Sequence, residues 1–368
     1  MGPINRPIAK AWRGCARLVT ATTMFVILGF APAASASAAA VSWHVVPSPT
    51  TANDVTCVAA NDCWAVGSSI MHNVGAGWVT VSSPTPTGSI NSHLDGVTCV
   101  SNTDCWAAGG YLAPPFNELT LVEHYDGVNW SIVSSPSPDP NNSQFLNIRC
   151  TNATNCWAVG MTVTSAGDEY PLIEQYTQSS WVVASNPSGT NRGALRDVAC
   201  LNATGVCWAV GWLDNPANQP LVEYNPGTGW VVIPSPAAST GQLYGVTCMS
   251  ATNCWAVGSF DSSARSTTST FTERYDGSRW SIVPSPNVGS RHPNWLNDVS
   301  CTSASDCWAV GSDGISDQKT LIEHFAGGRW RTVASPTGAS SGSLVGIKCV
   351  ARFDCWAVGD DNPILQYT

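Results

Sequence analysis

Helical periodicity is missing from the chain beyond its first 38 residues, which excludes helical bundles and sheets that alternate with amphipathic helices. No stretch after residue 38 is long and apolar enough to cross a bilayer, for which about 20 residues are needed. Charged residues make up only 11% of the sequence, with 25 Asp and Glu against 16 Lys and Arg. Of the six histidines, His44, His72, His124 and His324 fall inside repeated segments, leaving His93 and His292 between them. There is no phosphate-cradling glycine loop, no His-Glu-x-x-His pair and no nucleophile elbow. Phosphoryl transfer of the P-loop type, zincin proteolysis and α/β-hydrolase chemistry therefore lack their signatures.

What is present begins with a leader. Arg6, Lys10, Arg13 and Arg17 precede a mostly apolar run from Leu18 to Ala31, and Ala34-Ser35-Ala36 or Ala36-Ser37-Ala38 offers small-residue cleavage sites. Residues 1–38 are thus expected to be a signal peptide and 39–368 a secreted, extracellular domain without a membrane span. Removing the leader leaves 12 basic residues against 25 acidic ones, a net charge of −13. That field repels phosphate backbones and argues against nucleic acid as a partner.

Seven close copies of Cys-Trp-Ala-Val-Gly organise the rest, beginning at Cys63, Cys105, Cys156, Cys207, Cys254, Cys307 and Cys355, with Ala108 the one interior departure. Each is preceded by a second cysteine: Cys57, Cys99, Cys150, Cys200, Cys248, Cys301 and Cys349. In an exported chain an even count at a repeated spacing reads as a local disulfide framework, whereas structural zinc sites space paired cysteines more closely. A recurring Trp-to-Pro segment closes the first six units, and an orphan copy, Trp43 to Pro49, precedes them all. The seventh unit stops before its own copy. A spare last strand at the start and a missing one at the end predict a closed ring: an all-β, seven-bladed β-propeller of four-stranded blades whose N-terminal strand completes the last blade.

Within the fifth unit, Leu243 to Cys248 reads as strand A, Cys254 to Gly258 as B, Phe271 to Tyr275 as C and Trp280 to Val283 as D, with Asp276-Gly277 a hairpin turn. Gly258 after the apolar B strand, Tyr275-Asp276-Gly277, Trp280 and the proline-ended D strand resemble a kelch-type repeat. The second unit comes nearest, with Gly109-Gly110-Tyr111, then Tyr125-Asp126-Gly127 and Trp130. With its Cys-Trp-Ala-Val-Gly copies the chain resembles an exported bacterial variant of such propellers. That resemblance implies a fold and a binding habit rather than one chemistry. Copper oxidases of the kelch type need a free cysteine, and here every cysteine after the leader has a partner in the scheme above.

Candidate functional residues are those that break the repeat. The strand C glutamates, Glu123, Glu174, Glu223, Glu273 and Glu323, recur too often for catalysis and read as structural. By analogy with other propellers, B-to-C and D-to-A loops share a ligand-binding rim, and Tyr111, Trp212, Asp214, Asp261, Arg291, Trp295 and Asp313 are the candidate ligand contacts there, with His93, Phe145, Arg192, Phe260 and His292 nearby. Aromatic rings mixed with charged groups suit sugars, whose apolar faces stack while their hydroxyls take polar partners. Asp54, Asp197 and Asp298, at the start of strand A, are the candidate acids if the protein is an enzyme, could ligate Ca²⁺ through oxygen, or could instead accept backbone hydrogen bonds. No other cofactor or metal is expected. The leading expectation is a monomeric extracellular binding module for a polysaccharide or glycan; a polysaccharide-cleaving hydrolase or lyase and a protein-interaction scaffold are the alternatives.

Overall fold

The computed structural model describes residues 41–368 except 140–141, 203, 215–217, 237–239, 263–266, 290–291, 316, 337–338, 340 and 360–363. The expected leader lies outside the described residues, and so does Arg291. Among those described, 28 strands form seven four-stranded antiparallel sheets and there is no helix, so none long and apolar enough to cross a membrane. In six sheets the strand order follows the chain. In the seventh, Trp43–Val46 pairs with Ile364–Tyr367 as the outermost strand, in the register Trp43↔Tyr367 to Val46↔Ile364. The chain is therefore a seven-bladed β-propeller closed by its N-terminal strand.

The fifth blade shows why the repeat folds as it does. Its strands are Gly241–Ser250 (A), Asn253–Ser262 (B), Thr267–Tyr275 (C) and Trp280–Ile282 (D), so A, B and C run beyond their expected ends. Strand B is buried on both faces because a blade lies on either side. Cys254 and Ala256 pack with Trp208 and Val210 of the fourth blade, while Trp255 and Val257 pack with Cys307 and Ala309 of the sixth. Small residues on one face and large ones on the other let each indole cover its neighbour's alanine. A Cβ at Gly258 would overlap the Gln242 carbonyl oxygen of strand A, which explains the glycine that closes the motif.

All seven disulfides are present, each joining directly opposed residues of strands A and B, with Cα atoms 3.9 to 4.1 Å apart. On a chain-entropy account each closed loop contributes about 2 kcal/mol. Every blade interface also holds one tryptophan pair, a B-strand indole against a D-strand indole of the next blade, at ring-centroid distances of 5.2 to 5.9 Å. Burying one such side chain removes about 150–250 Å² from water, roughly 4–6 kcal/mol as an upper limit. The expected turn at Asp276-Gly277 is formed: Gly277 has φ +96° and the Asp276 carboxylate accepts the Ser278 and Arg279 N–H groups at 2.8 and 3.0 Å.

Candidate functional site

Strand A of each blade faces the central channel, and a single position on it sets the channel's chemistry. Around the ring this position holds Asp54, Gly96, Asn147, Asp197, Gly245, Asp298 and Gly346. Each aspartate binds two blades together. Asp54 accepts the Val55 N–H at 2.7 Å and the Val97 N–H of the next blade at 2.8 Å. Asp197 does the same with Val198 (2.7 Å) and Val246 (2.6 Å), and Asp298 with Val299 (2.6 Å) and Ile347 (2.7 Å). The intervening glycines let the following blade approach. A Cβ would stand 2.7 Å from the Asn147 Cα at Gly96, 2.7 Å from the Asp298 Cα at Gly245 and 3.1 Å from the Asp54 Cα at Gly346. Seven is odd, so this alternation must fail once. It fails between the third and fourth blades, where the uncharged Asn147 precedes Asp197 and two adjacent carboxylates are avoided.

Burial raises the Asp54 pKa to about 6 and that of Asp197 to about 7. For Asp298, burial and then the charges of Asp197 and Asp54 push it well above the usual carboxylate range. Two residues further along strand A sit Arg149 and Lys348. The Arg149 charge, followed by burial, lowers the Lys348 pKa to about 8 against the opposing pull of Asp54 and Asp298. These groups line a cavity of about 70 Å³. Protein surrounds them on all sides while water reaches part of their surface along the bore.

The strand C glutamates are buried and each lies opposite the motif alanine of strand B, as in Ala256↔Glu273. Burial raises their pKa values to about 7 for Glu123, Glu223 and Glu273 and about 8 for Glu174 and Glu323. Ser83 of the first blade donates to Glu123 at 3.0 Å, and Ser235 of the fourth to Glu273 at 2.8 Å. Ser188 and Ser285 approach Glu223 and Glu323 but fall outside hydrogen-bonding geometry, and Glu174 has no hydrogen-bond partner. The equivalent positions in the first and seventh blades are Met71 and Leu365.

The rim offers a second kind of site. In six blades strand A carries a bulge just before the channel position; in the fifth it falls between Leu243 and Gly245 and turns Tyr244 outward. Tyr244 lines an open groove of about 140 Å³ with Phe260, Trp295, Gln242, Asn218 and Asp261. The three rings are half-buried, Asn218 and Asp261 exposed. The Tyr244 hydroxyl donates to Gln242 Oε1 at 3.0 Å, the Thr268 hydroxyl to Asp261 at 3.2 Å, and the Arg196 guanidinium stands 6.0 Å from the Tyr244 ring centroid.

Of the residues singled out from sequence, Phe260, Asp261 and Trp295 meet in this groove, and Asp54, Asp197 and Asp298 meet in the channel. The others are dispersed. Tyr111 is half-buried at the end of strand B in the second blade, against the core shared with the first. Trp212 is half-buried with its indole N–H unpartnered, and Asp313 has one buried oxygen without a partner. Arg192 pairs with Asp168 at 2.8 Å and reaches Asp214 at 3.8 Å. Phe145 is not a rim residue: strand A begins at Ser143 in its blade and the ring is fully buried. His93 and Trp295 likewise lie on strands rather than loops. Tyr244 and Gln242 of the groove, and Arg149, Lys348 and Asn147 of the channel, were not among the sequence candidates. The irregular step from Leu243 to Val246, three residues where a plain strand uses two, was the available signal for the bulge.

No protein-family model matches the chain, and no curated protein matches it. Similarity to solved structures is confined to the fold. The chain superposes on YCF48 bound to a D1 peptide with a TM-score of 0.57 and 14% identity, covering 89% of this chain and 96% of that one. For YCF48 from Cyanidioschyzon merolae the values are 0.57 and 17%, over 88% and 98% of the two chains. The BP39L lectin from Burkholderia pseudomallei gives 0.53 and 13%, over 86% and 94%.

Proposed function

We propose that the protein is an extracellular binding module that takes a carbohydrate ring in the groove between the fifth and sixth blades. The observation that carries this reading is the convergence of Tyr244, Phe260 and Trp295 with Gln242, Asn218 and Asp261 on one open face. Ring faces can stack on a sugar while amide and carboxylate groups take its hydroxyls. The groove is open on one side, so a longer chain can extend from it into solvent. Seven disulfides suit an oxidising compartment. A lectin of the same fold supports the ligand class.

The same fold with a bound peptide makes a protein partner the second reading. Hydrolysis in the channel has less support, because both oxygens of each channel aspartate already accept backbone N–H groups.

The test is retention of the oxidised protein on a panel of polysaccharides, with reducing ends assayed in the same wells. Trp295→Ala and Tyr244→Ala should each weaken retention at least about tenfold, the loss of one stacking contact worth about 1.4 kcal/mol. Absence of retention on every polysaccharide, or retention that Trp295→Ala leaves unchanged, would reject the reading. Release of reducing ends would make the protein an enzyme.

A further inference from the structure

The channel holds two cations, neither of them in a direct ion pair with a described residue. Among the described residues the charged groups facing the bore are Asp54, Asp197, Asp298, Arg149 and Lys348. Each aspartate spends both carboxylate oxygens on backbone N–H groups of its own and the next blade. Neither Arg149 nor Lys348 forms an ion pair with any described residue. Of all the influences on Lys348, repulsion by Arg149 is the largest, larger than its attraction to Asp54 or Asp298.

Two half-buried like charges that repel each other across one cavity carry a cost. The cost is relieved if the lysine loses its proton or if an anion enters. The cavity has the volume for the second outcome, since a single water needs about 10–15 Å³ on the same measure and this space is about 70 Å³. Hydroxyl donors are at hand as well. Thr247 and Ser300 line the same cavity, and the Ser300 oxygen accepts the Cys349 N–H at 3.0 Å, which leaves its own O–H to donate. A guanidinium fork matches the paired oxygens of a tetrahedral oxyanion, and an ammonium with flanking hydroxyls supplies donors for the remaining ones.

We propose that the channel binds one small inorganic oxyanion, of the sulfate or phosphate class, between Arg149 and Lys348. The site is independent of the sugar groove. Its occupancy falls as pH rises, because Lys348 loses its proton near pH 8 and Asp54, Asp197 and Asp298 gain negative charge over the range below that.

Equilibrium dialysis of the full oxidised chain against radiolabelled inorganic sulfate at low ionic strength tests this. The expected result at pH 6.5 is one sulfate per chain, displaced by phosphate, with at least threefold weaker binding at pH 9. Lys348→Arg should keep the site and the Arg149→Gln, Lys348→Met pair should weaken it at least tenfold, with near-ultraviolet circular dichroism reporting that each variant is folded. A stoichiometry near zero, unchanged binding in the folded double variant, or tighter binding at pH 9 would overturn the proposal. Anomalous scattering from crystals soaked in selenate provides a reading that needs no variant: a peak between Arg149 and Lys348 supports the site, and peaks confined to the outer surface overturn it.

Discussion

The indole of Trp308 in the sixth blade meets Trp43 edge to face, with ring centroids 5.4 Å apart and planes at 84°. Trp43 opens the described chain and Trp308 lies far along it, yet this pair repeats what Trp64 and Trp130 form within consecutive blades, at 5.4 Å and 75°. The ring is closed by the same contact that joins its other blades. The indole N–H groups of Trp43 and Trp308 are buried without a nitrogen or oxygen partner, so it is ring packing that holds the pair.

Closure should therefore depend on Trp43. Trp43→Ala is expected to cost about 3–5 kcal/mol, the range for deleting a buried tryptophan. Deleting residues 41–49 removes the strand as a whole, leaves Ile364–Tyr367 as an unpaired edge and should produce dimers or aggregates. Denaturant unfolding and size-exclusion chromatography check the two outcomes; a monomeric deletion variant with unchanged melting would contradict the closure.

Gly245 should not tolerate a methyl group. A Cβ there would stand 2.7 Å from the Asp298 Cα and 2.9 Å from the Asn297 carbonyl oxygen, both of them backbone atoms that cannot swing aside. Gly245→Ala is expected to destabilise the protein by about 1–3 kcal/mol, the usual cost of overpacking. Gly227→Ala, whose Cβ would meet nothing but whose φ is +98°, separates steric crowding from backbone strain in the same urea titration.

Asp197→Ala would leave the Val198 and Val246 N–H groups without acceptors, at about 1–3 kcal/mol for each unsatisfied group. Hydrogen exchange should show the Val246 amide losing protection, since its acceptor comes from the neighbouring blade. Unchanged protection at Val246 would mean that the aspartate does not join the two blades.

Glu174 offers the opposite case. It is buried without a hydrogen-bond partner, and two blades of the same ring use Met71 and Leu365 at its position. Glu174→Leu should be neutral or stabilising, whereas Glu123→Leu, which abandons the Ser83 hydroxyl, should cost about 1 kcal/mol. Midpoints of denaturant unfolding for the two variants, with m-values compared, distinguish these outcomes.

The pH dependence follows from the buried acids. Glu123, Glu174, Glu223, Glu273 and Glu323 have folded pKa values of about 7 to 8 against an ordinary value of 4.5, and Asp54 and Asp197 about 6 and 7 against 3.8. Between these limits the folded state binds more protons than the unfolded one. Their stabilising contribution is thus complete below about pH 4 and is lost as pH rises through 6 to 8. Thermal unfolding should occur a few degrees higher at pH 5 than at pH 8. A midpoint that rises with pH across this interval would contradict the assignment.

The blade count, the disulfide pairing and the closing strand could be read directly from the chain because each rests on local repetition. Seven copies of Cys-Trp-Ala-Val-Gly mark seven B strands, a cysteine at a repeated short spacing upstream of each favours local pairing over any cross-blade scheme, and the displaced Trp43 segment has one vacancy to fill. The rim was less legible. Phe260, Asp261 and Trp295 stood out as departures from the repeat, yet Tyr244, which completes their groove, did not, because a bulge shifts which side chain faces outward and a simple alternation does not contain it. Phe145 failed in the other direction: a ring near a loop in sequence sits on a strand that starts early and turns it into the core.

Sequence by itself determined the repeating unit, since strand period, paired cysteines and turn glycines act over a few residues. Only the tertiary structure decided which unlike residues meet. Asp54 reaches the Val97 N–H, Asp197 precedes Gly245 and Arg149 confronts Lys348 because the ring brings blades together across 40 residues or more of chain. An odd number of blades then fixes where their alternation must break. The physical reason is that burial and charge are properties of the enclosed channel, and no strand possesses them until all seven have closed around it.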